Sequence, residues 1–229
     1  MRRLIVLFAL VLLFASTASF AQQDLVPRYD VFTGFSYLST PKLNLFQRGF
    51  NGEAGINVRR WVSLGGDFSI FSGHSSLTTA ELDPSQLAKL APLAGLLPPG
   101  VPFSSLSVPF DATTFTFTAG PQFNYRHWNA ITPFIRPAIG GIHEHVTAKP
   151  NNPITQGLVA VLVPSGEKSD TTIFYGIGGG FDLNPSRHIG IRLAADFVHL
   201  KLFDGFLKDP RNAIRFSVGP TFRWGEMTK

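Results

Sequence analysis

Residues 114–126 read TFTFTAGPQFNYR, and this stretch decides the fold class. From Phe115 to Tyr125, every second position holds an apolar or small side chain, and polar side chains or glycine lie between them. Successive side chains of a β-strand point to opposite faces, so a period of two predicts a strand with one apolar and one polar face. A helix would instead repeat its apolar residues every three or four positions.

The same alternation recurs along the chain. It is present in residues 28–38, 50–59, 62–70, 131–144, 172–183, 189–197 and 214–224. Connections of a few residues join strands two and three, four and five, and six and seven, whereas the other connections are longer, the longest about 40 residues. Transmembrane β-barrels typically have such short periplasmic turns and longer extracellular loops. We therefore predict an all-β fold, an eight-stranded antiparallel up-and-down transmembrane β-barrel.

The composition is compatible with a membrane barrel and excludes several other classes. The 229 residues are 44% hydrophobic and 15% charged, and there is no cysteine. A chain without cysteine has no disulfide framework and no cysteine-ligated zinc or iron–sulfur site. The net charge of +5 is spread along the chain rather than concentrated in a basic patch, so we predict no nucleic-acid partner.

The N-terminus has the features of a secretory signal peptide. Arginines precede the apolar run 4–14, and small residues lead up to Ala21. The run is too short to cross a bilayer as a helix, but it matches the hydrophobic region of a signal peptide. We predict cleavage after Ala21, which divides the chain into a signal peptide, residues 1–21, and a barrel domain, residues 22–229.

The polar face of the predicted strands carries charges of both signs and no lysine. A water-exposed face would normally be rich in lysine and glutamate, whereas arginine paired with carboxylates suits a narrow interior. We therefore predict a lipid-facing apolar coat and an interior charge network. The network is predicted to contain Glu53, Asp67, Arg126, Arg136, Glu144, Asp182, Arg192, Asp196 and Arg215. A soluble periplasmic or extracellular barrel is the alternative.

Aromatic residues lie near the ends of several predicted strands. Aromatic side chains near strand ends are expected at the membrane–water interfaces. The predicted girdle consists of Tyr29, Tyr37, Trp61, Tyr125, Trp128 and Trp224.

Pro137 lies well inside the fifth strand, where a proline removes a donor from the ladder, so we expect a bulge or a shifted register there.

The chain resembles the eight-stranded bacterial outer-membrane β-barrel family, which includes outer membrane protein A-like transmembrane domains. The resemblance rests on the pattern of the opening strand 29–38, on Thr132-Pro133-Phe134, and on residues 178–182 followed by Ser186-Arg187-His188. It implies a place in the outer membrane of a Gram-negative cell envelope, contact with outer-membrane lipid, and help from the barrel insertion machinery during assembly. Most family members end on an aromatic residue that this machinery reads, so Phe222 and Trp224 are the implied insertion signal.

The longest predicted loop, about 72–112, is unusually apolar for a surface segment. Asp83-Pro84 predicts the N-cap and first residue of a short helix that runs to Leu90, before Pro92. The leucines of this loop either fold over the barrel mouth, which we favour, or form a patch that binds an extracellular ligand or lipid. We predict a structural or adhesive, loop-displaying role with no cofactor. The alternative is a narrow pore for small solutes or ions, which the limited room inside eight strands disfavours.

Metal binding and catalysis are the remaining alternatives. His143 and His145 share one face at the outer end of the fifth strand, but two histidines without a third ligand make a weak metal site. Some outer-membrane barrels are hydrolases or acyltransferases, and the suitable side chains are Ser72, His74, Ser75, Asp111, His143, Glu144, His145 and His199. Their spacing matches no known nucleophile motif. We therefore predict no catalytic residue, no metal site and no enzymatic activity.

Overall fold

The strands form a closed antiparallel barrel. The computed structural model describes residues 26–95, 102–208 and 211–227, and within them eight strands follow one another around the barrel in chain order. They are β1 (Pro27–Thr40), β2 (Leu45–Arg59), β3 (Val62–Thr78), β4 (Ser107–Asn124), β5 (Ile131–Ala148), β6 (Glu167–Leu183), β7 (Ile189–Leu200) and β8 (Arg211–Glu226). β1 pairs with both β2 and β8, which closes the sheet. The predicted fold class is confirmed, whereas the predicted signal peptide lies outside the described residues.

The two faces of each strand differ in exposure as the alternation predicts. In β4, Phe117 is 59% exposed and its neighbour Thr116 is 5% exposed. In β6, Ile173 points outward and the adjacent Phe174 is buried in the lumen. The hydrocarbon layer offers no water to backbone groups, so a closed ladder with an apolar coat is one of the few architectures that can span it.

Strands β3 and β4 extend far into the segment that was predicted to be a loop. Their ladder continues to the pair Thr78 and Ser107, so the connecting segment is 79–106 and the predicted bounds of about 72–112 are wrong. Residues 72–76 are small or polar on both faces. Outside the hydrocarbon layer neither face needs to be apolar, so the alternation fades although the backbone pairing persists.

Pro137 interrupts the ladder without causing a bulge. β5 has the same register with β4 before and after this residue, and it pairs continuously with β6. That register places Pro121 directly opposite Pro137, and neither residue has an N–H to donate. The expected bulge or register shift is therefore wrong, because two facing prolines open the ladder locally and the pairing then resumes unchanged.

Helical segments close the extracellular end. Among the described residues they are α1 (Pro84–Ala94), between β3 and β4, and α2 (Pro153–Leu162), between β5 and β6. α1 begins as predicted, with Asp83 Oδ1 accepting a hydrogen bond from the backbone N–H of Ser85 at 2.9 Å, but it continues past Pro92. Pro92 lies in the last turn, where it removes only one intrahelical hydrogen bond. No helix in the described part of the chain is long and apolar enough to cross a membrane.

We define the cap as α1, α2 and the segment 201–208, which follows β7. Leu82 and Leu90 are buried in one apolar cluster with Phe71 and Ile142 of the barrel wall. The backbone N–H of Asp83 donates to the carbonyl of Phe206 at 3.0 Å, which joins the 79–106 connection to segment 201–208. The cap thus covers the barrel mouth, and Leu90 and Leu158 of its helices are fully buried.

Candidate functional site in the lumen and beneath the cap

Asp182 of β6 anchors the periplasmic end of an ion-pair network. Its carboxylate accepts two hydrogen bonds from Arg192 of β7, at 2.7 Å from Nε and 3.0 Å from Nη2. Nη2 of Arg223 in β8 donates to the same carboxylate at 2.7 Å. Two N–H donors on one guanidinium match the two oxygens of a carboxylate, so this geometry fixes the orientation of Arg192 as well as its charge.

Glu53 of β2 carries the network across the lumen. Its Oε1 accepts a hydrogen bond from Nη1 of Arg192 at 2.5 Å, and its Oε2 accepts one from Nη1 of Arg136 in β5 at 2.7 Å. Neither β7 nor β5 is a neighbour of β2 in the barrel. One carboxylate of β2 therefore links two arginines of the opposite wall.

Asp196 of β7 and Asp67 of β3 complete the network. Arg136 donates to Asp196 from Nε at 3.1 Å and from Nη2 at 3.2 Å. Arg215 of β8 donates to Asp196 at 2.8 Å and to both oxygens of Asp67, at 2.7 and 2.9 Å. The Thr118 hydroxyl also donates to Asp67. Asp67 and Asp196 thus share Arg215, and Nη2 of Arg136 also lies 4.0 Å from Asp67.

The network alternates in charge and is buried. In order, its members are Arg223, Asp182, Arg192, Glu53, Arg136, Asp196, Arg215 and Asp67. The buried Asp30 joins them at the side, 3.9 Å from Nη2 of Arg192. Arg192 is 2% exposed and Asp196 is 1% exposed. Taking an ion out of water is costly, and the attraction between partners offsets this cost only when the geometry is good and further hydrogen bonds are made. Each ion in the lumen therefore depends on its neighbours.

The structure changes the membership of the predicted network. Arg126 donates to the side-chain oxygen of Asn57 at 2.8 Å rather than to a carboxylate of the network. Glu144 lies nearer the extracellular end and lines a separate cavity, so its assignment to the network was wrong. Alternation along a strand predicts the face on which a residue lies but not which groups on other strands lie at its height. Arg223, which was not among the named members, belongs to the network.

Gly178 of β6 makes room for the network at one wall. It lies opposite Asp196, and a Cβ at this position would overlap the Asp196 carboxylate. A residue without a side chain therefore leaves the space in which Asp196 meets Arg136 and Arg215.

Toward the extracellular end the lumen becomes apolar. The buried side chains there include Leu38, Phe71, Ala138, Ile142, Phe174, Val198 and Ala213 of the barrel, with Leu82, Leu90 and Leu158 of the connecting segments. A cavity of about 90 Å³ lies between this apolar region and the cap. Its charged lining residues are Glu144, Lys168 and Arg211.

Comparison with known proteins agrees with this geometry. The family model for the outer membrane protein beta-barrel domain matches residues 7–222. The chain belongs to this family. The protein is therefore an outer-membrane barrel, with its short turns on the periplasmic side and the cap on the cell surface. Comparison with curated proteins found no match.

Solved outer-membrane barrels share the fold at low sequence identity. Outer membrane protein OprG from Pseudomonas aeruginosa is 8% identical, with a TM-score of 0.54 over 87% of this chain and 97% of that one. Neisserial surface protein A is 9% identical, with a TM-score of 0.51 over 86% of this chain and 96% of that one. At such identity the likeness shows the fold alone.

Most predicted girdle aromatics of this outer-membrane barrel lie at its periplasmic end. Ring pairs there are Tyr29–Trp224 and Trp61–Phe123, each with centroids 6.1 Å apart, and Tyr125–Trp128, 5.5 Å apart. Tyr37 lies instead toward the extracellular end of β1, beside Phe46. Phe222 and Trp224 both point outward from β8. Their role as an insertion signal stays a prediction.

The candidate catalytic residues are spread over the extracellular ends of the strands. His145 Nδ1 lies 2.7 Å from the Ser169 hydroxyl, and its Nε2 lies 3.8 Å from Glu167. Ser169 and Glu167 were not among the expected residues, because only the register of β5 against β6 brings them to His145. His143 makes the same contact with Thr171, at 2.7 Å, so a histidine beside a hydroxyl recurs along this strand pair.

The other candidates have separate partners. His199 Nδ1 lies 2.8 Å from Asn212 Oδ1, and the Ser75 hydroxyl donates to the carbonyl of Leu43 at 2.8 Å. His74 and Asp111 face each other across the β3–β4 ladder, and Ser72 lies exposed on β3. The described residues contain no group of three or more histidine or carboxylate side chains that could hold a metal ion.

Proposed function

We propose that this outer-membrane barrel is a closed anchor that displays its cap at the cell surface for structural or adhesive contacts. In this proposal the lumen does not conduct, and the protein has no catalytic activity. The ion-pair network is the observation that carries the proposal. Arg136, Arg192 and Arg215 each bind carboxylates of other strands across the lumen.

The space left beside the network is small. A cavity of about 30 Å³ borders Asp30, Glu53, Asp67 and Arg136, and this is the size that a water molecule or two can occupy. Eight strands enclose only enough room for side chains, so a permeant ion would have to displace groups that are already hydrogen-bonded to each other. The geometry therefore favours a plugged lumen over a narrow pore.

The apolar region forms a second barrier in series with the network. A hydrated ion that passed the arginines would next meet Phe71, Ile142 and Phe174, which are buried and offer no hydrogen bonds from their side chains. Stripping water from an ion without replacing those contacts is strongly unfavourable. The cap then covers the extracellular end of this region.

The display role rests on the order within the cap. The backbone N–H of Lys208 donates to the carbonyl of Glu81 at 2.9 Å, and that of Thr79 donates to the carbonyl of Leu106 at 3.0 Å. Long loops held on a rigid barrel are a common place for recognition. An extracellular ligand of the 79–106 segment is therefore part of the proposal.

Conductance in planar bilayers tests the closed lumen. We expect the purified protein to insert without a steady open level. The double variant Arg136→Ser, Arg215→Ser should stay closed as well, because the apolar region and the cap still block the lumen. Heat-modifiable gel mobility of both proteins establishes that the barrels are folded. A steady open level from the unaltered protein would contradict the proposal and favour the narrow pore.

Replacement of the cap segment and a lipid-hydrolysis assay test the other parts. Exchanging residues 80–105 for a short glycine–serine turn should leave insertion intact and reduce attachment of cells that carry the protein. Unchanged attachment would contradict an adhesive role.

The folded protein should release no fatty acid from phospholipid or lipopolysaccharide vesicles. If fatty acid were released, and if Ser169→Ala abolished that release, the non-enzymatic assignment would be contradicted.

A further inference from the structure

The cavity beneath the cap contains a buried carboxylate without a partner. Glu144 is 5% exposed and lines the cavity. Its side chain makes no hydrogen bond and no ion pair within 4 Å with any residue that the structure describes. Buried polar groups are nearly always hydrogen-bonded, and an uncompensated carboxylate is destabilising. Glu144 therefore differs from Glu53 in the network, which binds two arginines.

The cations that line the same cavity are engaged elsewhere. Nη2 of Arg211 donates to the carbonyl of Leu202 at 3.1 Å, and its guanidinium lies 5.8 Å from the centre of the Phe203 ring. Its attraction to Glu144 acts at longer range than an ion pair. The ammonium of Lys168 lies 5.0 Å from the centre of the Phe206 ring. The carboxylate thus remains available as an acceptor.

The rest of the cavity wall is apolar. The wall includes Leu43, Phe110, Val146, Leu158, Leu162 and Phe206. An engineered apolar cavity of about 150 Å³ is known to bind benzene, so the smaller volume of about 90 Å³ suits a short alkyl chain rather than a ring. Such a wall binds the apolar body of a ligand, and Glu144 is the lining carboxylate that can accept a hydrogen bond from its head group.

We propose that this cavity binds a small apolar molecule with a hydrogen-bond-donating head group, an alcohol or an amine. The head group donates to Glu144, and the apolar body packs against Leu158 and Phe206. A small carboxylate has no proton to donate to Glu144, so the proposal expects it not to bind. This site is distinct from the closed lumen and gives the cap a small-molecule ligand.

Fluorine NMR of the full protein in lipid nanodiscs tests this proposal. The probes are 3-fluoropropan-1-ol, 3-fluoropropylamine and 3-fluoropropanoate, each compared with empty nanodiscs to subtract partition into lipid. We expect saturable line broadening with the alcohol, the amine or both, and none with the acid. The first two probes distinguish a neutral head group from a cationic one.

Variants locate the binding in the cavity. Glu144→Gln should weaken amine binding at least tenfold, and Leu158→Phe should weaken binding of every probe that binds by filling the space. Matched controls are Glu167→Gln and Val161→Phe, which make the same changes at exposed positions outside the cavity lining. Heat-modifiable mobility shows that each variant folds.

Three results would overturn the proposal that the cavity binds such a ligand. No saturable binding above empty nanodiscs overturns the proposal, as does preferred binding of the acid or binding that Leu158→Phe leaves unchanged. Because conductance is measured separately, loss of this proposal would leave the closed-lumen assignment as it stands.

Discussion

The periplasmic and extracellular halves of the lumen are filled by opposite means. In the periplasmic half Arg192 and Arg215 bind carboxylates from several strands. In the extracellular half Phe71 and Leu90, both 0% exposed, pack among other apolar side chains. The ionic half depends on the presence of every partner, because a buried charge that loses its partner is costly. The apolar half depends instead on how well its volume is filled.

Removing one arginine should break the ionic half most severely. Arg215→Met leaves Asp67 without its main partner and deprives Asp196 of one of two arginines. We expect a loss of about 3–5 kcal/mol in the free energy of unfolding. Urea unfolding from lipid vesicles, followed by tryptophan fluorescence, measures this loss.

A second substitution should restore part of that stability. In Arg215→Met, Asp67→Asn the uncompensated carboxylate is gone, while Asp196 still binds Arg136. Arg48→Met, at an exposed position of β2, is the control and should change stability little. If Arg215→Met were as mild as Arg48→Met, the ionic half would not depend on its partners as we argue.

Truncating a cap leucine should affect the extracellular half locally. Leu90→Ala removes a fully buried side chain, and such changes typically cost about 2–5 kcal/mol. Because α1 lies outside the barrel ladder, we expect this cost to appear as local opening of the cap. Limited proteolysis of the 79–106 segment should become faster, while heat-modifiable mobility is retained. Lys89→Ala, at an exposed position of the same helix, is the control, and equal proteolysis of the two variants would contradict the prediction.

The ionic half was more predictable from the sequence than the apolar half. Arg192, Asp196 and Arg215 share the face opposite the apolar residues of their strands, so their burial in the lumen follows from the alternation. Their pairing does not follow, because Glu53 and Arg136 meet only through the register of the whole barrel. Alternation sets the face of each residue, and the closed ladder sets its height.

The apolar lining of the barrel wall in the extracellular half was missed, because it lies on the face that was expected to be polar. Phe71 and Phe174 point into the lumen, although their type suggests contact with lipid. Glu144 lies among such residues rather than among the arginines. A signal was available in part, since Phe71 continues the inward positions of Asp67 and Ser69 in β3. The leucines of the predicted loop were the other indication that the extracellular end is apolar.

Enlarging a glycine tests how tightly the ionic half is packed. Gly178→Ala places a methyl group where the Asp196 carboxylate lies, so this carboxylate must move away from Arg136 or Arg215. We expect a loss of about 1–3 kcal/mol, the usual range for overpacking. Gly52→Ala is the matched control, because a Cβ there meets no atom within 4 Å. Equal unfolding midpoints for the two variants would show that the network tolerates displacement.

The smallest expected effect concerns the start of α1, at the edge of the extracellular half. Hydrogen bonds from the hydroxyl and the backbone N–H of Ser85 hold the pKa of Asp83 below its usual value. A carboxyl whose pKa is lower in the folded state stabilises that state above its unfolded pKa, and the contribution is lost as the pH falls through the folded value. The start of α1 should therefore loosen slightly below about pH 4. The packing of Leu90 involves no charge, so it should not change with pH over this range.

Hydrogen exchange at the first turn of α1 measures this effect. Protection of the amides of Gln86 and Leu87, which donate to the carbonyl of Asp83, should fall a few-fold between pH 6 and pH 3 after correction for intrinsic rates. Asp83→Asn keeps a good N-cap without a titrating group, so its protection should be independent of pH over this range. An identical pH dependence in this variant would mean that a titrating group other than Asp83 controls the first turn of α1. That result would contradict the prediction.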